Sequence, residues 1–329
     1  MGFELREDED TAERIRSYFK SKGGNMPENN LKQAMLPVGG TVFENNHGTA
    51  PGAALEKNGK CVIILPGPPG ELVPMFNESV RGFLKKYSDG AIVSHTVNII
   101  GMGESSVAEE IEDMFDAKNP TVAPYAKSGE VRLRITAKAE TADEADKMCA
   151  PVVDEICSRL GDVVYGTDMN SIEERVVALL KEKGKKIATA ESCTAGYIPK
   201  RLTDIPGASE VFECGIVSYS NDIKTKLLGV SPKTLETYGA VSEQTAREMA
   251  LGAKHVSGAD IAISTTGLAG PGGDGVLPGG LSFAAVTDGE RTVVEKIVTG
   301  HGNDREYNRY VTASRALNLA RLMLEEKMK

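Results

Sequence analysis

From residue 170 onward the sequence alternates short apolar runs with longer amphipathic stretches. Apolar runs precede Ser192 and lead up to Tyr219 and Thr265, and an amphipathic stretch covers 242–256. Short apolar runs bounded by turn residues predict buried strands, whereas an apolar period near 3.6 predicts helices. This order predicts a three-layer α/β domain, in which ligands bind where strand ends face helix starts.

Two further strands near the carboxyl end complete the predicted sheet. Leu281–Thr287 and Thr292–Val298 flank Asp288-Gly289, a dipeptide typical of a tight hairpin. Strands joined by a hairpin run antiparallel, while strands separated by helices run parallel. The sheet is therefore predicted to be mixed, and a final helix is predicted from Asn303 to about Lys327.

The segment 189–196, Thr-Ala-Glu-Ser-Cys-Thr-Ala-Gly, places a serine where a buried strand is predicted to lead into a helix. With a strand at 186–188 and a helix running to Leu202, Ser192 is expected in the first helical turn. Backbone N–H groups of a first turn have no partner in the helix, so they can hold the oxyanion of a tetrahedral intermediate. The alternative is that Ser192 or Thr194 only caps the helix.

A tyrosine and a lysine follow at the end of the next predicted strand. The strand Val211–Tyr219 leads through Ser220 into a helix that carries Lys224. A buried lysine that is neutral can act as the base for a serine, and a tyrosine hydroxyl can bond the serine or protonate a leaving group. The alternatives are that Lys224 is a solvated helix lysine and that Tyr219 is only an aromatic residue at the end of a strand.

Cys193 is a rival to Ser192 as the nucleophile. It is ranked lower because no histidine partner for it is identifiable.

Four blocks in this region carry a family resemblance: Thr189–Thr194, Val217–Asn221, Gly239–Ser242 and Gly267–Pro271. Together they resemble the carboxy-terminal domain of the CinA family, the competence/damage-inducible proteins, which is similar to nicotinamide mononucleotide deamidase. The resemblance runs from about Asn170 to the end. It implies Ser192 as nucleophile, Lys224 as its base and Tyr219 as an assistant.

Two positions depart from the family's pattern. Ala195 stands where the family usually has glycine, and Pro199 falls inside the proposed helix. A proline there removes one helical hydrogen bond and clashes with the preceding turn, so a kink or a shorter helix is expected. Neither departure changes a catalytic side chain.

A substrate-binding set is implied around the glycine-rich loop that follows the strand 259–264. Glycines permit close approach of the backbone to a ligand, although a flexible surface turn has the same composition. Two arginines one helical turn apart suit a phosphate, although a solvated i, i+4 pair is the alternative. The predicted substrate-binding residues are Thr194, Thr266, Gly267, Ala269, Gly270, Arg305 and Arg309.

Together with these features, the family resemblance implies an amidohydrolase that converts nicotinamide mononucleotide into nicotinic acid mononucleotide and ammonia, as in pyridine nucleotide salvage. Neither a cofactor nor a metal is expected, because the histidines are scattered without ligand spacing. One alternative is a non-catalytic regulator of competence and the DNA-damage response. Another is residual ADP-ribose pyrophosphatase activity near the amino terminus. The histidines are His47, His95, His255 and His301.

Three domains are predicted, with boundaries at 1–91, 92–168 and 169–329. The first resembles the later part of the family's molybdopterin-binding-like (MoCF) α/β domain, but the opening βαβ unit with its Gly-Gly-Leu-Gly-Pro loop is missing. It is expected to begin with a helix at 9–22 and to contain a buried strand at 61–65. Backbone N–H groups of residues 48–52 could bind a phosphate, and Glu71 could bind a metal or a hydroxyl. The alternative is that both segments are only turns of an incomplete domain.

The middle domain is predicted to be β-α-β-β-α-β, similar to the KH-type fold of the family. Its predicted elements include a strand at 97–100, a helix at 105–115, a strand at 131–137 and a helix at 142–160. Between residues 92 and 166 there are 7 Lys or Arg and 14 Asp or Glu. This acidic balance argues against RNA binding, so a spacer or dimerisation module is expected.

Composition favours a cytoplasmic protein that acts on a small molecule. The 5 cysteines show no paired spacing, which favours reduced thiols. No leader is recognised and no apolar run approaches about 18 residues, so neither secretion nor membrane contact is expected. The net charge of -9 and the lack of tryptophan argue against a nucleic-acid partner. A homodimer with a pyridine nucleotide substrate is predicted.

Overall fold

The computed structural model of the chain describes residues 2–24 and 26–328. The chain divides into two compact units, 1–89 and 90–329. The second unit holds two large apolar cores, one in its β-α-β-β-α-β part and one in its carboxy-terminal α/β part. None of the helices in these described ranges is long and apolar enough to cross a membrane.

The first unit contains two small antiparallel sheets, β1-β2 and β3-β4-β5. Its elements are β1 Leu5–Glu7, α1 Glu9–Ser21, β2 Met35–Pro37, β3 Thr41–Phe43, β4 Gly52–Lys57, β5 Lys60–Ile64, α2 Pro69–Met75 and α3 Arg81–Leu84. The helix predicted at 9–22 is confirmed, but the unit begins with a strand, contrary to expectation. The strand predicted as buried is half exposed, since Val62 and Ile64 face away from the small core of this sheet.

The β-α-β-β-α-β order predicted for the middle of the chain is confirmed. The elements are β6 Ala91–Ile100, α4 Glu104–Glu110, β7 Thr121–Lys127, β8 Glu130–Ala139, α5 Ala142–Leu160 and β9 Val164–Thr167. The strands pair in the order β7-β8-β6-β9, and every pair is antiparallel. β6 starts six residues before the predicted strand, because its first half alternates exposed and half-buried residues and so lacks a continuous apolar run.

The carboxy-terminal part forms the predicted three-layer domain around a mixed five-stranded sheet. Its elements are α6 Ile172–Lys183, β10 Ile187–Glu191, α7 Tyr197–Thr203, β11 Phe212–Val217, α8 Asn221–Leu228, α9 Pro232–Tyr238, α10 Glu243–Ser257, β12 Ile261–Leu268, β13 Leu281–Thr287, β14 Thr292–Val298 and α11 Arg305–Leu324. The strand order is β11-β10-β12-β13-β14. The first three strands are parallel, and β13 and β14 are antiparallel to their neighbours.

Side-chain alternation along β10 assigns the helices to the two faces of the sheet. Ile187 packs into the core shared with α6, α7 and α11. Ala188 and Ala190 pack on the opposite face against α8 and α10. Since parallel strands end at the same edge, the ends of β10 and β11 lie side by side, and the segments after them form the site described below.

A buried carboxylate connects the middle of the chain to the last helix. Glu130, at the start of β8, is 5% exposed. It accepts hydrogen bonds from the hydroxyls of Tyr165 at 2.9 Å, Tyr310 at 3.2 Å and Ser314 at 3.4 Å. Three hydroxyl donors satisfy a charge that would otherwise be costly to bury. The two parts of the second unit are therefore joined by specific polar contacts as well as by apolar packing.

Candidate active site

Ser192 lies in a turn between β10 and α7, not in the first turn of the helix as predicted. The helix begins at Tyr197, because Ala195 and Gly196 adopt left-handed conformations with φ of 49° and 86° that interrupt right-handed helix geometry. The N-cap residue is Gly196, so neither Ser192 nor Thr194 caps the helix. Pro199 is the third residue of α7, where its missing N–H has no helical partner to lose, so the helix is short but not broken.

Lys224 lies directly beside the serine. Its Nζ is 3.1 Å from Ser192 Oγ, 2.8 Å from the carbonyl oxygen of Ser218 and 3.4 Å from that of Tyr219. The residue is 1% exposed, and burial lowers the pKa of its amine. A neutral amine has two N–H groups, which suit the two carbonyls, and one lone pair, which suits the serine hydroxyl. The predicted pair of nucleophile and base is thus brought together.

The amides at the start of α7 are not available for the predicted oxyanion site. The carboxyl group of Glu191 accepts the N–H of Ile198 at 3.2 Å, and the N–H of Gly196 also interacts with it. The N–H of Tyr197 donates to the carbonyl of Thr194 at 3.2 Å. Glu191 is fully buried, and burial raises the pKa of its carboxyl. Sequence reasoning assigned this residue no role, although it directly precedes the serine.

Tyr219 lies at the mouth of the site instead of beside the serine. Its side chain is 63% exposed, and its hydroxyl accepts a hydrogen bond of 3.4 Å from Arg305. The predicted bond between this hydroxyl and Ser192 is therefore replaced by a bond to Arg305. The second guanidinium nitrogen of Arg305 donates to the carbonyl of Gly270 at 2.8 Å, which fixes the arginine across the opening.

Two threonines predicted to bind substrate have their hydroxyls occupied by protein groups. Thr194 is fully buried, and its Oγ1 lies 2.6 Å from Thr265 Oγ1. Thr266 is 1% exposed and donates to the carbonyl of Ala240 at 2.6 Å, although it does line the cavity next to Ser192. Thr194 is not among the residues that line that cavity, so its place in the substrate-binding set stays a prediction without support from this geometry.

The glycine-rich loop also lines the cavity, but two of its glycines are required by protein neighbours. A Cβ on Gly267 would lie 2.4 Å from Ser282 Cβ, because β12 extends to Leu268, beyond its predicted end. Gly270 has a φ of 92°, and a Cβ there would lie 2.3 Å from the carbonyl oxygen of Gly302. Packing thus explains these glycines without a ligand, while their backbone still forms one wall of the cavity.

The cavity beside Ser192 has a volume of about 320 Å³, within the range of small-ligand sites. Besides the predicted residues it is lined by Ala240 and Val241, from a block that carried the family resemblance but no assigned role. Arg309 lines a separate cavity of about 320 Å³ together with Tyr197 and Arg305. Its Nη2 donates to the carbonyl of Thr194 at 2.7 Å, so it supports the turn after the nucleophile.

The remaining candidate groups are less suited to catalysis. Burial raises the pKa of the Cys193 thiol to about 12, so this rival nucleophile stays protonated at neutral pH. In the first unit, Glu71 accepts a hydrogen bond of 2.6 Å from Asn45 and packs against Gly48. Across the residues that the structure describes, no group of three or more His, Cys, Asp or Glu is arranged to hold a metal ion.

We expect Ala195→Gly to stabilise the protein by about 1 kcal/mol, because the left-handed conformation is strained for alanine and not for glycine. Thermal or urea unfolding measures this. Ala142→Gly is the matched control, because Ala142 is also exposed but begins the right-handed helix α5. The free energy of unfolding of this control variant is expected to fall by about 0.5–1 kcal/mol. Destabilisation by both substitutions would show that the turn is not strained.

Comparison with known families matches two segments of the chain. The CinA C-terminal domain matches residues 169–324, and the damage-inducible protein CinA KH domain matches residues 94–166. The two matched segments coincide with the three-layer domain that holds Ser192 and Lys224 and with the β-α-β-β-α-β part before it.

Relatives match along most of the chain. A protein from Clostridium beijerinckii that is named a competence-damage inducible protein is 52% identical over 303 residues. The match covers 91% of this chain and 74% of the relative. A CinA-like protein from Desulfovibrio desulfuricans is 46% identical over 325 residues, covering 98% and 76%. The solved structure of competence/damage inducible protein CihA from Agrobacterium tumefaciens is 38% identical, covers 47% of this chain and 93% of its own, and has a TM-score of 0.45. The identity and coverage of the two relatives from Clostridium beijerinckii and Desulfovibrio desulfuricans show that the chain belongs to the CinA family.

Proposed function

We propose that this protein is an amidohydrolase that converts nicotinamide mononucleotide into nicotinic acid mononucleotide and ammonia. The observation that carries the proposal is the 3.1 Å separation of Ser192 Oγ and Lys224 Nζ at the wall of a small-ligand cavity. A serine with a neutral lysine as its base is suited to acyl transfer from an amide.

The surroundings of Lys224 favour its neutral form. Among the described residues it makes no ion pair, and its hydrogen bonds to protein go to two carbonyl oxygens and the serine. Desolvation without a compensating carboxylate penalises the charged ammonium, which is why the pKa lies below its ordinary value of 10.5. The lysine is thereby prepared to accept a proton.

In the first half of the reaction, Lys224 accepts the hydroxyl proton of Ser192 as Oγ attacks the carboxamide carbon. We assign the resulting oxyanion to the backbone N–H of Cys193, the residue after the nucleophile, because the amides that begin α7 are held by Glu191 and by the carbonyl of Thr194. When the C–N bond breaks, Lys224 returns the proton to the leaving nitrogen. Ammonia departs and the nicotinoyl group stays esterified to Ser192.

In the second half, Lys224 accepts a proton from water as the water oxygen attacks the ester carbon. The bond to Ser192 Oγ then breaks, and the proton on Lys224 passes to the serine. This releases the carboxylic acid and restores both residues. Tyr219 takes no proton in this scheme. It contributes by holding Arg305 across the mouth of the cavity.

The assay that tests the proposal measures ammonia release and formation of the nicotinate product from nicotinamide mononucleotide by the purified full-length chain. Turnover that is blocked by Ser192→Ala supports it. If the intact protein shows no release of ammonia, the amidohydrolase assignment is wrong and the family's regulatory role becomes the better explanation. Metal-dependent cleavage of ADP-ribose by the same preparation would instead support a pyrophosphatase in the first unit.

We further propose that Arg305 binds the substrate's phosphate. We expect Arg305→Ala to raise KM for nicotinamide mononucleotide by roughly tenfold to a hundredfold with little change in kcat, since a charge-assisted bond to the phosphate is lost. Nicotinamide riboside, which has no phosphate, is the control substrate, and its KM should change little in the Arg305→Ala variant. An equal loss with both substrates would mean that Arg305 acts by holding the loop at Gly270.

The division into domains at 1–91, 92–168 and 169–329 is likewise our proposal, with the catalytic chemistry assigned to the last. The first unit is proposed to be the later part of a MoCF-like domain. The homodimer and the cytoplasmic location predicted from the sequence stay predictions.

A further inference from the structure

Glu191 ends β10 immediately before the proposed nucleophile, and its side chain is fully buried. One oxygen, Oε2, accepts the N–H of Ile198 at 3.2 Å, and the amide of Gly196 lies close enough to interact. The N–H of Tyr197, between these two amides, donates to the carbonyl of Thr194 at 3.2 Å. The other oxygen, Oε1, has no hydrogen-bond partner among the described residues. A carboxyl group buried at this cost requires an explanation.

The carboxyl group holds the segment that follows Ser192. The turn contains consecutive left-handed residues, Ala195 and Gly196, and a non-glycine residue in that conformation is strained. The amides that Glu191 binds are those of Gly196, the second left-handed residue, and Ile198, in the first turn of α7. Glu191 therefore connects the start of the turn to its end and resists its rearrangement.

The main chain of Glu191 makes a second connection, toward the base. Its carbonyl accepts the N–H of Ser218 at 2.8 Å. The carbonyl of the same Ser218 accepts a hydrogen bond from Lys224 Nζ, also at 2.8 Å. One residue is thus attached through its side chain to the turn that carries the nucleophile and through its backbone to the segment that holds the base.

We propose that Glu191 is a positioning residue that fixes the Ser192 hydroxyl at reacting distance from Lys224 by binding the amides at the start of α7. It does not touch the substrate. Its effect on turnover rests on the amidohydrolase proposed above, whereas its effect on the turn does not. A displacement of about 1 Å at a reacting group costs on the order of a hundredfold in rate.

Three variants measure this role with nicotinamide mononucleotide. Glu191→Ala removes the acceptor, and we expect kcat to fall by about a hundredfold while KM changes by less than about threefold. Glu191→Gln keeps one acceptor oxygen and should restore kcat to within about tenfold of the wild type. Thr189→Val is the matched control on the same strand, because Thr189 is equally buried and its hydroxyl has no partner in the described chain. It should keep full activity.

A second measurement needs no substrate and separates the two proposals. Amide hydrogen exchange at Ile198 and Gly196 should accelerate in Glu191→Ala, stay slow in Glu191→Gln and be unchanged in Thr189→Val. If the alanine variant does not fold, Glu191→Asp replaces it, since its shorter side chain cannot reach the same amides. Faster exchange in a protein without amidase activity would support the positioning role and refute only the proposed reaction. Unchanged exchange and unchanged kcat in the alanine variant would refute the positioning role.

Discussion

Replacing Ser192 by alanine is expected to lower kcat for deamidation of nicotinamide mononucleotide by roughly 10⁴-fold or more. The hydroxyl forms the covalent bond in the proposed reaction, and no other side chain beside Lys224 supplies an equivalent oxygen in the scheme. The measurement is the rate of ammonia release from nicotinamide mononucleotide, with the other product identified as nicotinic acid mononucleotide. The variant should fold normally, because Ser192 is only partly buried and its hydroxyl contacts one amine.

Cys193→Ala is the matched control for this variant. Cys193 lies next to the serine on the same cavity, but burial raises its pKa to about 12, so it is a poor nucleophile. We expect the control to retain most of the activity. Loss of activity in Cys193→Ala with retention in Ser192→Ala would reverse the assignment of the nucleophile.

Replacing Lys224 by methionine is expected to lower kcat by roughly 10³-fold, which is the scale of a general base in acyl transfer. Lys224→Arg should be equally inactive, because a guanidinium stays protonated at any accessible pH. Lys226→Met, an exposed lysine on the same helix, is the control and should be unaffected. Activity of Lys224→Arg near that of the wild type would exclude a proton-transfer role for the lysine.

The lowered pKa of Lys224 also fixes how pH acts on the wild type. Activity should rise with pH as the amine loses its proton, at a pH below the ordinary lysine value of 10.5. Between the lowered pKa and 10.5 the unfolded chain retains a proton that the folded chain has lost, so the free energy of unfolding should increase with pH in that window. Below the lowered pKa both states hold the proton, and the full burial penalty remains. In Lys224→Met this increase should be absent from urea unfolding curves.

Much of the sheet could be predicted because its signals are local. The hairpin strands 281–287 and 292–298 match the structure at both ends, since a turn dipeptide lies between them. The helix 142–160 also matches, because the capping box at Thr141 and the apolar stripe are both local features of the sequence. The pair Ser192 and Lys224 followed from family resemblance and from strand ends meeting at one edge.

The errors occurred where distant contacts decide the structure. A helix start at Ser192 fitted the small residues of 192–196, but the left-handed Ala195 and Gly196 are not visible in the composition of that segment. The neighbours of Gly267 and Gly270 come from β13 and from the loop before α11, so the sequence offered only a ligand or a flexible surface turn to explain these glycines. Glu191 was passed over because a carboxyl inside a strand gives no local sign that it will bind the next helix.

The hydrogen bonds around Glu130 have a practical consequence for protein engineering. A shortened protein starting near residue 169 would remove this carboxylate while keeping Tyr310 and Ser314 on α11. Those hydroxyls, together with Val311, which contacts Gly129, would then meet solvent on a newly exposed helix face. We therefore expect an isolated carboxy-terminal part to expose an apolar patch around Val311, which polar substitutions there would cover.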